Sequence, residues 1–305
     1  MKLAGSIILY NPGMDVWDNI CSYIDAVDRL YVIDNSEKYN KSLIRLICRN
    51  NKCRYISLNG NRGIAYALNV GVNYSVRDGY TWLLTMDQDS KIASEQVKIM
   101  IHYIEDVHNH LVKIVCPNYR HNGKRWNSSD SVEFVRQAIT SGSIIDVNVC
   151  KELGGFLNKL FIGEVDHEYC IRLILKGYKI ARLNDVYMEH QLGSPTKHGN
   201  LISYNYPPIR YYYAVRNNLY VYFKYKKYKF VEDICREKPK NIKNLLFTIF
   251  YETRSLKKYA YMILGAKDFL VGKMGKKGCG RKYGCYYLWK RFHCKKSHRE
   301  IENFR

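Results

Sequence analysis

No stretch of this 305-residue sequence is long and apolar enough to cross a bilayer. The longest hydrophobic runs, near 245–251 and 259–266, fall well short of the roughly 18–20 residues a spanning helix needs. The start offers no secretory leader either: Met1–Tyr10 lacks a small-residue cleavage site and runs straight into Asn11-Pro12. Ten cysteines are present, but without the paired spacing of a small secreted scaffold, which implies reduced thiols in a cytosolic protein. Cys279, Cys285, His293, Cys294 and His298 match no common zinc spacing and read as residues of a basic tail. No internal repeat occurs. Negative charge is scarce in one region only. Residues 201–305 hold 25 Lys+Arg against 7 Asp+Glu, whereas residues 1–200 hold 24 against 21. The last third thus carries +18 of the net +21, which points to an anionic partner, either phospholipid headgroups or nucleic acid. Hydrophobic content of 47% argues for a folded chain and against disorder.

What is present in the first 90 residues is an alternation of strand and helix signals. Leu3–Tyr10 reads as a buried strand stopped by Asn11-Pro12-Gly13. Asp15–Val27 and Lys41–Asn50 carry apolar residues at helical spacing; Arg29–Ile33 and Cys53–Leu58 read as the second and third strands. A polar loop, Asn59–Gly63, precedes a helix through Val76, and the strand Tyr80–Thr85 then delivers Met86-Asp87-Gln88-Asp89-Ser90. This order predicts a mostly parallel sheet with right-handed crossovers, and such sheets bind ligands beyond the carboxyl ends of their strands. Asn11, Asp34, Asn61 and Asp87/Asp89 all fall at those ends. Further along, 92–108 reads as a helix, 112–116 as a strand, 131–149 as extended, and Asp166–Lys176 as a helix ending at Gly177. Residues 245–270 place Leu245, Ile249, Leu256, Tyr259, Ile263, Ala266 and Leu270 on one helical stripe.

Two carboxylates held side by side at Asp87-x-Asp89 are costly unless a cation neutralises them, and hard oxygen ligands suit Mg²⁺ or Mn²⁺. An acidic surface turn is the competing reading. Asp166 stands at the mouth of a predicted helix. A hydroxyl is a poor nucleophile at neutral pH and needs a positioned carboxylate as general base, whereas an acid in a first helical turn also simply favours the macrodipole. His190 is open between a metal or phosphate ligand and a structural histidine.

These residues stand among motifs that carry a family resemblance over about residues 3–220. They are Leu9-Tyr10-Asn11-Pro12, Val32–Ser36, Asn61-Arg62-Gly63 with Asn69, Trp82–Ser90, Ser141-Gly142, Gly154-Gly155-Phe156, Phe161–Arg172, His190 with Gly193, and Arg210-Tyr211-Tyr212 with Arg216-Asn217. In these the chain resembles the family 2 glycosyltransferases, in particular the bacterial rhamnosyltransferase-like branch of O-antigen and capsule synthesis. The branch usually has an acidic residue where Gly163 stands and none at Glu164. The resemblance implies a GT-A fold, α/β with a mostly parallel central sheet, as a catalytic domain over residues 1–220. It also implies an inverting displacement. Asn11, Asp34, Asn61, Arg62, Gly63 and Asn69 would frame the donor nucleoside, and Asp87 would hold ribose or a metal-bound water. Asp89, with Asp87 and His190, would hold Mg²⁺ or Mn²⁺. Asp166 would be the base, with Glu168 near the acceptor and Arg216 on phosphate. L-Rhamnose from dTDP-rhamnose is the donor it suggests first, with UDP-sugars also open, and a lipid-diphosphate-linked or growing saccharide as acceptor.

Residues 221–305 are expected to form a basic, amphipathic helical extension lying on the inner face of the cell membrane. A solvated helical cap and a nucleic-acid-binding surface are the rival readings of that charge, and a catalytically inactive relative is the rival reading of the site. Nucleic acid is not the expected partner, because a polyanion would sit unfavourably beside the strand-end acids.

Overall fold

A computed structural model describes residues 1–106, 110–120, 130–190, 196–198, 201–203 and 205–278. The strands are β1 (Leu3–Leu9), β2 (Arg29–Asp34), β3 (Cys53–Ser57), β4 (Trp82–Asp87), β5 (Ser90–Lys91), β6 (Val112–Arg120), β7 (Val132–Val135), β8 (Ser143–Asp146), β9 (Lys179–His190), β10 (Thr196–His198) and β11 (Leu201–Ser203). The helices are α1 (Val16–Tyr23), α2 (Lys41–Arg49), α3 (Ile64–Arg77), α4 (Ser94–Asp106), α5 (Val147–Glu152), α6 (Val165–Leu175), α7 (Pro208–Tyr225), α8 (Glu232–Ile249) and α9 (Ser255–Leu270). Contacts divide the chain into two compact units, 1–204 and 205–305. A division at 220 would cut through α7, so the Arg-Tyr-Tyr motif groups with the helices that follow it.

The first unit is built on one sheet of order β3-β2-β1-β4-β8-β6-β9-β5, with β7 also paired to β9. The expected parallel β3-β2-β1-β4 half is present, with Ile7 opposite both Val32 and Met86. The other half is mixed: β8 runs antiparallel to β4 and β6, while β9 runs parallel to β6 and antiparallel to β5 and β7. Both faces of the parallel half are covered, which is why β1 is buried at every position and reads as a continuous apolar run. Leu3, Ile7, Leu9, Val32, Leu84 and Met86 join Val115, Ile144 and Leu183 in one core beneath α1, α2 and α4. Helix starts follow local chemistry: Asn40 caps α2 by accepting from the Leu43 N–H, and Asp146 caps α5 at Asn148 and Val149.

The second unit packs α7, α8 and α9 around Tyr211, Val215, Ile249 and Met262. The single helical stripe expected over 245–270 is two helices. The chain breaks between Ile249 and Ser255, where Arg254 takes a left-handed conformation with φ 57°. A buried ion pair sits at that break. Lys258 Nζ lies 2.8 Å from a Glu252 carboxylate oxygen, with side chains only 2% and 1% exposed. The Tyr211 hydroxyl and the Asn205 N–H also donate to Glu252, and Lys258 donates to Asn205 Oδ1 at 2.6 Å. Burial pushes the Glu252 carboxyl up, but the hydrogen bonds from Lys258, Tyr211 and the Asn205 amide outweigh it and leave it below its ordinary value. Its stabilisation is therefore present above the unfolded carboxyl pKa of about 4.3 and is lost as pH falls through the lower folded value. Lys258→Met should destabilise this unit by about 3–5 kcal/mol, because it strands a buried carboxylate. The Glu252→Gln/Lys258→Met pair should recover much of that loss and remove the acid sensitivity. Hydrogen exchange of amides 205–278 against pH reads both effects; an undiminished protection in Lys258→Met would refute the assignment.

Candidate active site

Three loops meet at the carboxyl ends of β1, β2 and β3, and the side chains of Asp34-Asn35-Ser36 tie them together. Asp34 Oδ1 accepts from the Ser36 N–H at 2.9 Å and Oδ2 from the Tyr55 hydroxyl at 2.7 Å. Ser36 Oγ accepts from the Asn11 N–H at 2.7 Å, and Asn35 Oδ1 accepts from the Arg62 N–H at 2.7 Å. Asn61 Oδ1 accepts from Asn35 Nδ2 and from the Gly63 N–H. Asp34, expected to touch the nucleoside, is 0% exposed, so in this conformation it braces the loops from behind. Asn11 and Arg62 are exposed and Asn61 is half-buried. The Arg62 guanidinium lies 5.3 Å from the Tyr66 ring centroid.

At the end of β4, Asp87 is half-buried and Asp89 exposed. Gln88 between them grips the β1 loop: its Oε1 accepts from the Tyr10 N–H at 2.7 Å and its amide donates to the Tyr10 carbonyl at 3.3 Å. The Asp87 N–H donates to the buried Ser141 Oγ at 3.1 Å, so the Ser141-Gly142 turn fixes the strand end. Register sets His190 opposite Ser90, next in sequence to Asp89; the His190 side chain lies outside the described residues. Asp87 and Asp89 supply hard oxygen donors. Among the described residues no group of three or more acids, histidines or cysteines could hold a metal ion. That donor set fits Mg²⁺ or Mn²⁺ with most of its shell completed by phosphate oxygens and water, and does not fit a closed all-protein site.

Asp166 is half-buried in the first turn of α6, and its Oδ1 accepts from the adjacent His167 N–H at 2.9 Å. Its charge is one cause of the raised pKa of half-buried Tyr119, after desolvation and Cys116. The approach to α6 is strained. Phe161 sits at φ 65°, ψ −62° in a γ-turn closed by the Ile162 N–H on the Leu160 carbonyl, and Glu164, which precedes α6, is left-handed at φ 61°. Gly163, at φ 79° between them, takes a conformation glycine adopts without strain, which suits the residue at the departure from the family pattern. Strain of this kind clusters at functional sites. The Phe161 carbonyl in turn accepts from the Ile64 N–H at 2.8 Å and so joins the Asp166 region to the start of α3.

Gly63 makes that junction possible. A Cβ there would stand 2.5 Å from the Phe161 ring and 2.8 Å from its carbonyl oxygen, at a φ of +90°. Gly63→Ala should therefore lower stability by about 1–3 kcal/mol and weaken donor binding. A thermal melt and a nucleotide titration test this together; unchanged values in both would show that the loop is not fixed by Phe161.

Other expected site residues serve different ends. Asn69 is a clamp: its amide accepts from the Phe156 N–H and donates to the Phe156 carbonyl, both at 2.7 Å. Glu168, expected near the acceptor, is 0% exposed and paired at 2.9 Å with Arg172, which also donates to the Leu153 and Gly155 carbonyls. It is turned into the protein, and through Arg172 it supports the turn whose Phe156 is held by Asn69. Arg216, expected on phosphate, belongs to the second unit and is 1% exposed. Its guanidinium packs over Tyr212 and Tyr213 and donates to the Gly275 carbonyl at 2.7 Å. Gln88, Tyr55, Ser141 and Arg172 are the positioning groups that motif reading missed; only their location within or beside motifs signalled them. The Cys/His cluster at 279–298 lies outside the described residues.

Comparison with known proteins bears on this arrangement. The chain is 28% identical over 232 residues to "dTDP-rhamnosyl transferase RfbF" of Shigella flexneri, covering 69% of this chain and 76% of the relative. TarS of S. aureus, residues 1–349 in complex with UDP-GlcNAc, superposes with a TM-score of 0.55 at 16% identity, over 88% of this chain and 81% of the other. A further structure of S. aureus TarS 1–349 gives 0.53 at 16% identity, over 88% and 80%. These structural likenesses bear on the fold, which is of the GT-A type. Residues 9–163, just over half of the sequence and including the loops at the ends of β1 to β4, match the family described as "Glycosyl transferase family 2", and the chain belongs to that family.

Proposed function

We propose that the protein is an inverting glycosyltransferase that moves a sugar from a nucleotide donor to a lipid-linked or growing saccharide at the inner face of the membrane. L-Rhamnose from dTDP-rhamnose is the first candidate, supported by the likeness to RfbF. One observation carries the reading: the Asn61–Gly63 loop and the start of Asp166's helix share a backbone junction at Phe161, so donor frame and base are built as one piece.

In this reading Asn11, Asn61 and Arg62 frame the donor, and Arg62 offers its guanidinium to the diphosphate. Asp87 and Asp89 would hold a Mg²⁺ or Mn²⁺ ion, which when bound supplies charge neutralisation on the departing nucleoside diphosphate. Asp166 takes the proton from the acceptor hydroxyl. The freed oxygen attacks the anomeric carbon from the face opposite the diphosphate, the carbon–oxygen bond to diphosphate breaks, and the configuration inverts. Asp34, Asn69, Glu168 and Arg172 contribute by holding these groups still. The excess charge after residue 200 attaches the protein reversibly to anionic lipid.

The test is a panel of nucleotide sugars with nucleoside diphosphate release as the readout. Release with dTDP-rhamnose in preference to UDP-sugars is expected; release from none of the panel would favour an inactive relative.

A further inference from the structure

Dividing the 245–270 stripe into two helices changes which apolar residues need a partner. In α9 the buried side is Lys258, Met262, Gly265 and Phe269. The opposite side is apolar too, and it is uncovered: Leu256 is 84% exposed, Ile263 69%, Leu270 55% and Leu264 38%. The first three recur every seventh residue, so they lie along one face of the helix. The end of α8 repeats the pattern, with Leu246 and Phe247 exposed in its last turn and Phe250 exposed just beyond it. The Tyr259 hydroxyl donates to the Leu246 carbonyl at 2.7 Å, which holds the first half of α9 against that end of α8. A soluble surface rarely leaves side chains of this size together in water.

We infer that the outer faces of α9 and of the end of α8 form a shallow insertion surface for an anionic lipid bilayer. The inference rests on the membrane attachment proposed above and adds the side chains that enter the lipid. Charge selects the occupant. Residues 205–278 hold 17 Lys+Arg against 5 Asp+Glu, which disfavours a second copy of the chain and favours a negatively charged surface. Lys257 and Lys267 are exposed on α9 itself, and Lys273 and Lys276 follow it, placed to meet headgroups while the leucines and Ile263 enter the acyl boundary. At 16 residues α9 is about 24 Å long, shorter than the hydrocarbon core, and no helix of the described residues is long and apolar enough to cross a membrane. It therefore lies in the interface. Lys258 takes no part, being 2% exposed and paired with Glu252.

The experiment is co-sedimentation of the full chain with phosphatidylcholine vesicles and with phosphatidylcholine/phosphatidylglycerol vesicles, at low and high salt. Three proteins are compared: wild type, a Leu256→Ser/Ile263→Ser/Leu270→Ser variant, and a variant with Lys257, Lys267, Lys273 and Lys276 changed to Gln. Wild type should bind the anionic vesicles and keep a salt-resistant fraction. The serine variant should bind at low salt but lose that fraction, with affinity at high salt down about tenfold or more. The glutamine variant should lose the salt-sensitive part instead. Ile263→Trp should shift its fluorescence to the blue on anionic vesicles. A salt-resistant fraction equal in wild type and serine variant would overturn the insertion surface, as would a wild type wholly released by salt, although attachment by charge would then stand. No vesicle binding at any salt would sink attachment and insertion together. A dimer abolished by the serine changes, without vesicle binding, would assign the face to a second copy and overturn the inference.

Discussion

Asp166→Asn should slow sugar transfer by about 10²–10⁴-fold while donor binding and stability stay near wild type. The loss corresponds to about 2.7–5.5 kcal/mol of transition-state stabilisation. Asparagine keeps an oxygen that can accept from the His167 N–H at the place where Asp166 Oδ1 does, so the first turn of α6 survives. What it cannot do is take the acceptor's proton. A purely structural carboxylate would behave otherwise: exchanging an acid in a first helical turn costs about 0.3–1 kcal/mol of stability and nothing in turnover. Steady-state rates beside a thermal melt separate the two. Wild-type turnover would move the base to Glu164, since Glu168 is buried against Arg172 and out of reach of an acceptor.

The parallel half of the sheet was legible because its strands are buried on both faces and separated by amphipathic helices. Continuous runs such as Leu3–Leu9, and Leu43 with Ile47 on α2, survive any reading frame. The loops at strand ends were legible for the same reason: topology places them before any side chain is seen. β9 was harder to read. Its buried residues alternate as Ala181 and Leu183, then as Val186 and Met188, and the shift in pairing between Pro117 and Asn118 on β6 puts the two sets out of step. The ligand roles of Asp34, Glu168 and Arg216 come from the family resemblance alone, which does not show what packs around them. Each is buried among partners that a linear sequence does not display: the Tyr55 hydroxyl, the Arg172 guanidinium, and the rings of Tyr212 and Tyr213. The exposed residues of α9, Leu256, Ile263 and Leu270, stand in the stripe that the sequence shows; what the stripe does not show is that the chain turns at Arg254 and that Ile249 faces the core instead.

Asp89→Ala should abolish transfer and remove the response to divalent cation, leaving the fold intact. Asp89 is exposed, follows the last residue of β4 by two positions, and contributes nothing to the core beneath it, so a surface-like stability change within about 0.5 kcal/mol is expected. Asp87 differs. It is half-buried, so Asp87→Ala should weaken donor binding and carry some structural cost as well, while the main-chain N–H that Ser141 accepts from is kept. The physical reason for the asymmetry is access: both carboxylates can face a cation, but the more exposed Asp89 leaves it the open coordination shell that phosphate oxygens complete. Chelation by EDTA should therefore reproduce the Asp89→Ala phenotype in wild type, and added Mg²⁺ or Mn²⁺ should restore wild type but not the variant. A calorimetric titration of cation in the presence of nucleoside diphosphate gives the same comparison without turnover. Full transfer in EDTA, or cation-dependent transfer by Asp89→Ala equal to wild type, would return Asp87-Gln88-Asp89 to an acidic turn whose middle residue holds Tyr10.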